Sequence, residues 1–210
     1  MFSPITYLIK KVYKDDFDVV QHKLQNIYPA AVRASENPSS KLICNMLISA
    51  EDHRFRFHFG FDIVAIFRAI RNRILYKKIE GASTIEQQLV RVLTNDFDKT
   101  LRRKIKEVCL AVAIKKVIPR KYVPIIYLLV AYYGTNINGL MQIAAKLNFV
   151  NLDVITLENA AEIVARIKYP EQQKLSNKRS QQILRRKEHL LNLYSKHNKQ
   201  KIFSIYGRYF

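Results

Sequence analysis

The chain of 210 residues carries 36 Lys and Arg against 17 Asp and Glu, a formal net charge of +19, and 49% of it is hydrophobic. That length fills one packed domain or two small lobes; the apolar content excludes a disordered chain, and the basic excess points to a polyanion, an anionic membrane surface or a phosphate-bearing substrate. Five glycines, six prolines and long stretches of Leu, Ile, Lys, Gln and Ala favour a mainly α fold, while Cys44 and Cys109 lack the paired spacing of a zinc site and read as buried small hydrophobes.

Residues 1–39 read as an irregular, polar N-terminal segment, closed by YPAAVRASENPSS (28–40), where two prolines and a Ser/Asn cluster interrupt helical periodicity. Nothing near the start approaches the ~18 apolar residues of a spanning helix or the pattern of a signal peptide, so the chain is expected to be soluble or peripheral. A single domain over residues 40–210 follows. It opens on a helix over 40–55 with Leu42, Ile43, Met46, Leu47 and Ala50 as its apolar side, which sets Glu51 at or near the C-terminal end. The helix dipole disfavours a carboxylate there, and a position that electrostatics disfavours invites a functional explanation.

The block EDHRFRFHFGFD (51–62) comes next. His53 and His58, five residues apart, do not share a helical face, so no metal site is assigned to them. FDIVAIFRAIRNRILYKK (61–78) is a basic amphipathic helix, with Ile63, Ile66, Phe67, Ile70 and Ile74 against Arg68, Arg71, Arg73, Lys77 and Lys78. It reads either as a core-facing helix with a solvated basic face or as a segment lying on anionic lipid.

GASTIEQQLVRVL (81–93) places Glu86 and Gln87 three residues after the hydroxyls Ser83 and Thr84, a capping-box spacing that marks a helix N-terminus able to bind an anion. KTLRRKIKEVCLAVAIKKV (99–117) is helical by period, with Arg102, Arg103, Lys104 and Lys106 crowded into its first turns. Cations there oppose the dipole, so a bound anion is the natural reason for them. Pro119 separates this helix from the apolar stretch KYVPIIYLLVAYYG (121–134). NGLMQIAAKLNF, TLENAAEIVARIKYP with Thr156 and Glu158 at its cap, and the basic SQQILRRKEHLLNLY give three more helices.

EDHRFRFHFGFD and GASTIEQQLVR together resemble the first two signature blocks of the peptidoglycan glycosyltransferases, family 51. Glu51, Asp52, Phe55, His58, Gly60 and Asp62 match the first block at every fixed position, and Gly81, Ser83, Thr84, Ile85, Gln87, Gln88 and Leu89 match the second. Arg103, Lys104 and Glu107 fit the third, Arg-Lys-x-x-Glu; the Arg185 and Arg186 pair fits the last, and TLENAAEIVARIKYP is similar to another family segment.

The resemblance implies a mainly α, two-lobed, lysozyme-like fold with a cleft between the lobes facing the membrane. It implies an inverting glycosyltransferase in which a growing glycan on a lipid pyrophosphate is attacked by the 4-hydroxyl of an incoming lipid-linked disaccharide, most simply lipid II. Glu51 inherits the part of general base, which suits a carboxylate partly desolvated at a helix end. Asp52, Phe55 and His58 would shape its surroundings, with Phe55 and Phe57 packing beneath. Ser83, Thr84, Gln87, Gln88 and Glu107 would line the substrate site, and Arg91, Arg103 and Lys104 would grip phosphate.

Two positions depart from the family's pattern. Ile125 and Leu129 stand where its fourth block has Glu and Asn, and no acid lies between Glu107 and Asp153. A Mg2+ or Mn2+ requirement is therefore expected to be weaker than in relatives. Glu86 replaces the Thr of the second block, read either as the capping partner of Ser83 or as an auxiliary carboxylate standing in for the lost one.

The expected partners are an undecaprenyl-pyrophosphate-linked saccharide, an anionic membrane surface, and wall or surface-polysaccharide assembly proteins. No nucleic-acid motif accompanies the basic residues. The expected location is peripheral on the bacterial cytoplasmic membrane, with the active face periplasmic or extracellular. Two other readings stay open: a transferase for another undecaprenyl-linked surface polysaccharide, and a non-catalytic lipid-glycan binder.

Overall fold

Ten α-helices and one two-stranded hairpin form the described residues of the computed structural model, which are 4–78, 81–149, 152, 154–174 and 176–200. The first three residues of the expected N-terminal segment and the last ten of the expected domain lie outside them. The mainly α class is the expected one. The chain divides into two compact units, one built from residues 1–26 and 54–120, the other from 27–53 and 121–210.

The N-terminal residues correct the expectation of irregular chain. Pro4–Val12 is helix α1, and Lys14–Ser35 is a 22-residue helix α2 that runs through Pro29. An interior proline costs a helix about 3 kcal/mol. Phe17, Val20 and Leu24, three and four residues apart, are fully buried, and at about 1.5–3 kcal/mol each they outweigh it. The break falls only at Glu36 and Asn37.

In the first unit, α4 (Ile63–Tyr76) starts at Asp62, whose side chain accepts from Ala65 N at 3.0 Å. Helix α5 (Ile85–Thr94) starts at Thr84, whose Oγ1 accepts from Gln87 N, and ends on Asn95 in the left-handed conformation. The cap is thus Thr84, not Ser83, and Glu86 sits at the second helical position rather than the third. Helix α6 (Leu101–Ala113) is capped by Thr100 and packs against α5 and α1.

Of the two readings of α4, the core-facing one fails. Only Ala65 of this helix is buried, whereas Phe67 is 68% and Ile74 is 72% exposed.

The second unit is centred on α3 (Pro38–Glu51), α9 (Leu157–Lys168) and α10 (Asn177–Lys199), which pack on one another. Asn37 caps α3 by accepting from Ser39 N at 2.8 Å, with Pro38 at the first position, where its missing N–H costs nothing. Thr156 caps α9 as its sequence indicates, and Ser176 caps α10. The apolar stretch 121–134 is helix α7 (Val123–Val130) followed by strand β1 (Tyr132–Gly134), which pairs antiparallel with β2 (Ile137–Asn138); α8 (Leu140–Lys146) follows.

Candidate functional site

The first block leaves α3 at its C-terminal end and runs through a single 3-10 turn, Phe55–Phe57, before α4. Phe55 is buried, but Phe57 is exposed and does not pack beneath the block as expected. Gly60 has φ +97°, and a Cβ there would come within 2.6 Å of the Ala111 carbonyl oxygen on α6, so the position admits only glycine without strain. Its own carbonyl accepts from Thr84 Oγ1 at 2.8 Å and Gln87 Nε2 at 3.3 Å. These bonds tie the first block to the start of α5, and with them Thr84 and Gln87 act as scaffold.

Asp62 also accepts from Arg54 Nε at 2.9 Å. Burial pushes its carboxyl up, but the Ala65 N–H and the Arg54 guanidinium more than reverse this and hold it below its ordinary value.

The second and third blocks meet on the facing sides of α5 and α6. Glu107, 1% exposed, receives a two-pronged hydrogen bond from Arg91, Nε to Oε1 at 2.6 Å and Nη2 to Oε2 at 3.2 Å. Arg103, four residues earlier on α6, pairs with the same carboxylate, and Lys104 Nζ lies 3.2 Å from Oε2. Lys104 Nζ also donates to Ser83 Oγ at 2.8 Å and Gln87 Oε1 at 2.7 Å. Six expected residues thus form one connected network in which three cations surround one carboxylate. Gln88 is half-buried on α5.

This network carries excess positive charge. Burial and the neighbouring Arg91 and Arg103 lower the Lys104 ammonium, with Glu107 opposing them. Burial raises Glu107, yet Arg91 and Lys104 bring it below its usual range. An anion arriving among Arg91, Arg103 and Lys104 would relieve that excess. The side chains of Arg91 and Lys104 are partly exposed, which leaves them able to meet one.

Glu51 belongs to the second unit, as the last residue of α3. Arg186 of α10 donates through Nη2 to Glu51 Oε1 at 3.0 Å and to the Ala50 carbonyl at 3.2 Å. One guanidinium therefore reaches both a carbonyl of the last helical turn and the Glu51 carboxylate, and it offsets the unfavourable dipole there. Asp52 is buried at the C-cap position, its N–H bonded to the Ile48 carbonyl at 3.0 Å.

Ile125, at the expected position of a second carboxylate, is 1% exposed on α7. An apolar side chain offers no ligand to a divalent ion, so the residue at this position does not fit a metal.

Two contributors were not assigned a part from the sequence. Arg186 matches a motif, but its contact with Glu51 spans 135 residues and leaves no local signal. Arg120 donates to Glu86 Oε1 at 2.7 Å and lies 3.2 Å from His58 Nδ1. Its only mark in the sequence is a basic residue after Pro119.

The transglycosylase family model matches residues 19–195 of this chain. The chain is 37% identical over 130 residues to penicillin-binding protein 1A of Aquifex aeolicus, covering 61% of this chain and 18% of that protein. It is 27% identical over 176 residues to the monofunctional glycosyltransferase of Staphylococcus epidermidis, covering 80% and 63%. To penicillin-binding protein 1F of Bacillus subtilis it is 34% identical over 139 residues, covering 65% and 19%. The chain thus spans less than two thirds of the length of each of these relatives.

Proposed function

Because the chain belongs to the transglycosylase family, we propose that it is an inverting glycosyltransferase that polymerises a lipid-pyrophosphate-linked saccharide, in the first instance lipid II into peptidoglycan strands. The observation that carries this reading is the network on α5 and α6. Its three cations are gathered by one buried carboxylate and held in excess, which suits a pyrophosphate leaving group.

Glu51 is the general base. Its carboxylate takes the proton of the acceptor's 4-hydroxyl as that oxygen attacks the anomeric carbon from the face opposite the leaving group. Arg186 orients the carboxylate, and Arg91, Arg103 and Lys104 stabilise the charge that develops on the pyrophosphate. Asp52, Phe55 and His58 shape the first block, and Ser83 and Gln87 hold Lys104 in place.

No helix of the described residues is long and apolar enough to cross a membrane. The protein works peripherally on an anionic membrane, on the periplasmic or extracellular face, with the exposed apolar side of α4 entering the headgroup region and its arginines pairing with lipid phosphate. Of the twenty large hydrophobics that stand exposed among the described residues, all but Tyr132, Met141, Val154 and Leu184 belong to the first unit.

Labelled lipid II supplies the test. Long strands from the native protein, with turnover lower by about 10²–10⁴ in Glu51→Gln, are the expected result. Unchanged turnover in Glu51→Gln would remove the base assignment. The apolar replacement at Ile125 and Leu129 favours one second reading, transfer of a different undecaprenyl-linked sugar. Silence on lipid II with turnover of such a donor would decide for it.

A further inference from the structure

Glu86 is the residue of the second block that the network around Glu107 does not absorb. It is 2% exposed in the first turn of α5, where the helix dipole favours an acid, and its Oε1 accepts from Arg120 at 2.7 Å. The same guanidinium lies over the Phe55 ring, 4.2 Å from its centroid, and its Nη2 is 3.2 Å from Nδ1 of the buried His58. Phe55 in turn meets the His58 ring edge to face, with centroids 6.2 Å apart. All four residues lie in the first unit.

A guanidinium has five N–H donors and no acceptor. The His58 nitrogen that faces it must therefore accept, which leaves the proton of the neutral ring on Nε2. Glu86 fixes the guanidinium from one side and Phe55 supports it from below, so the donor cannot turn away from the ring without giving up a partly buried ion pair and a cation–π contact. Neither Glu86 nor Arg120 need touch substrate for this to matter.

We propose that Glu86 and Arg120 are a positioning pair that locks His58 of the first block as the Nε2–H tautomer, a neutral donor of fixed direction. The Nε2–H group is then a hydrogen-bond donor, whereas a proton on Nδ1 would set two donor groups against each other. Glu86 thereby acts through Arg120 and His58, not as a second reacting carboxylate. Replacing Thr by Glu in this chain goes with an arginine placed to receive it, 34 residues downstream.

The proposal rests on reading the first block as catalytic, and its test has one arm that does not. The tautomer is read by long-range ¹H–¹⁵N correlation on the imidazole nitrogens of the full chain, with the His58 signals assigned by their loss in His58→Gln. In the neutral ring the native protein should show a protonated Nε2 and an unprotonated Nδ1. Glu86→Gln and Arg120→Ala should give mixed tautomers.

Where a single variant unfolds because it strands a buried charge, Glu86→Thr combined with Arg120→Leu removes both charges together and should still lose the lock. In the polymerisation assay the variants should lose up to about a hundredfold in kcat with KM nearly unchanged. An Nδ1–H tautomer in the native protein would overturn the proposal, as would an unaltered His58 in the double variant. Loss of turnover in Glu86→Gln as deep as in Glu51→Gln, with the His58 tautomer intact, would also overturn it and make Glu86 the auxiliary carboxylate. If the native chain polymerises nothing, the functional reading falls, while the imidazole spectrum still decides for or against the lock.

Discussion

At the scale of single residues, Gly60 shows how a signature block is held by backbone as much as by side chains. Its φ of +97° and the Ala111 carbonyl 2.6 Å from a would-be Cβ combine two separate penalties in one position. Gly60→Ala should cost about 1–3 kcal/mol and lower Tm by several degrees in a thermal melt. An unchanged Tm would mean that α6 can give way at Ala111. The glycine was legible as part of a motif, but the carbonyl it makes room for was not, because Ala111 lies outside every recognised block. Glu107 was similarly legible as a member of Arg-Lys-x-x-Glu. That Arg91, from another block, supplies the two-pronged bond follows only from α5 lying against α6.

Among the elements, α4 decides between two readings that its sequence leaves even. A period of apolar residues tells that a helix has an apolar side; it does not tell what covers it. Phe67 and Ile74 stand exposed beside Arg68, Arg71 and Arg73. Phe67→Glu with Ile74→Glu should therefore leave Tm nearly unchanged, since surface substitutions shift stability by about 0.5 kcal/mol or less. Binding to anionic vesicles should fall by about a hundredfold or more, because inserting two such side chains is worth about 3–6 kcal/mol and each 1.4 is a decade. Equal co-sedimentation of the native and doubly substituted proteins would exclude α4 as the contact.

Helix α2 teaches the converse. Pro29 suggested a loop, and the burial of Phe17, Val20 and Leu24 overrode it, while the Ser/Asn cluster further on holds the break at Glu36 and Asn37. The cap at Thr156 was readable because capping is local, whereas the adjacent hydroxyls of Ser83 and Thr84 left the start of α5 ambiguous by one residue.

For the whole molecule, charge balance sets the response to acid. Asp62 and Glu107 are held below their ordinary values by the cations around them, after burial has pushed them the other way. The unfolded chain therefore binds more protons in that range, and the stability these groups contribute is full above the ordinary carboxylate pKa and lost as pH falls through the folded ones.

His197 acts earlier. It lies 2.7 Å from Ser49 Oγ with His53 stacked on it, and burial first, then His53 and Lys196, bring its pKa from 6.5 down to about 4. Stability attributable to it is complete above 6.5 and declines from there to about 4. Melts from pH 8 to pH 3 should thus show Tm falling in two stages, and His197→Asn should flatten the upper one. A flat profile in the native protein down to pH 4 would refute this. Neither partner of His197 was legible in the sequence, since Ser49 is 148 residues away.

The two units are each assembled from two separate stretches of chain, and α3 completes its packing only with α9 and α10. On the ribosome, which adds about 5–20 residues per second, Glu51 emerges on the order of ten seconds before Arg186, the residue that steadies it 135 positions later. During that wait the apolar side of α3, with Ile43, Met46 and Leu47, has no native cover from its two principal neighbours. A nascent chain in this interval presents a sticky helix next to the nascent basic α4, and it is a natural client for a chaperone or for early capture by the lipid surface on which the finished enzyme is proposed to work.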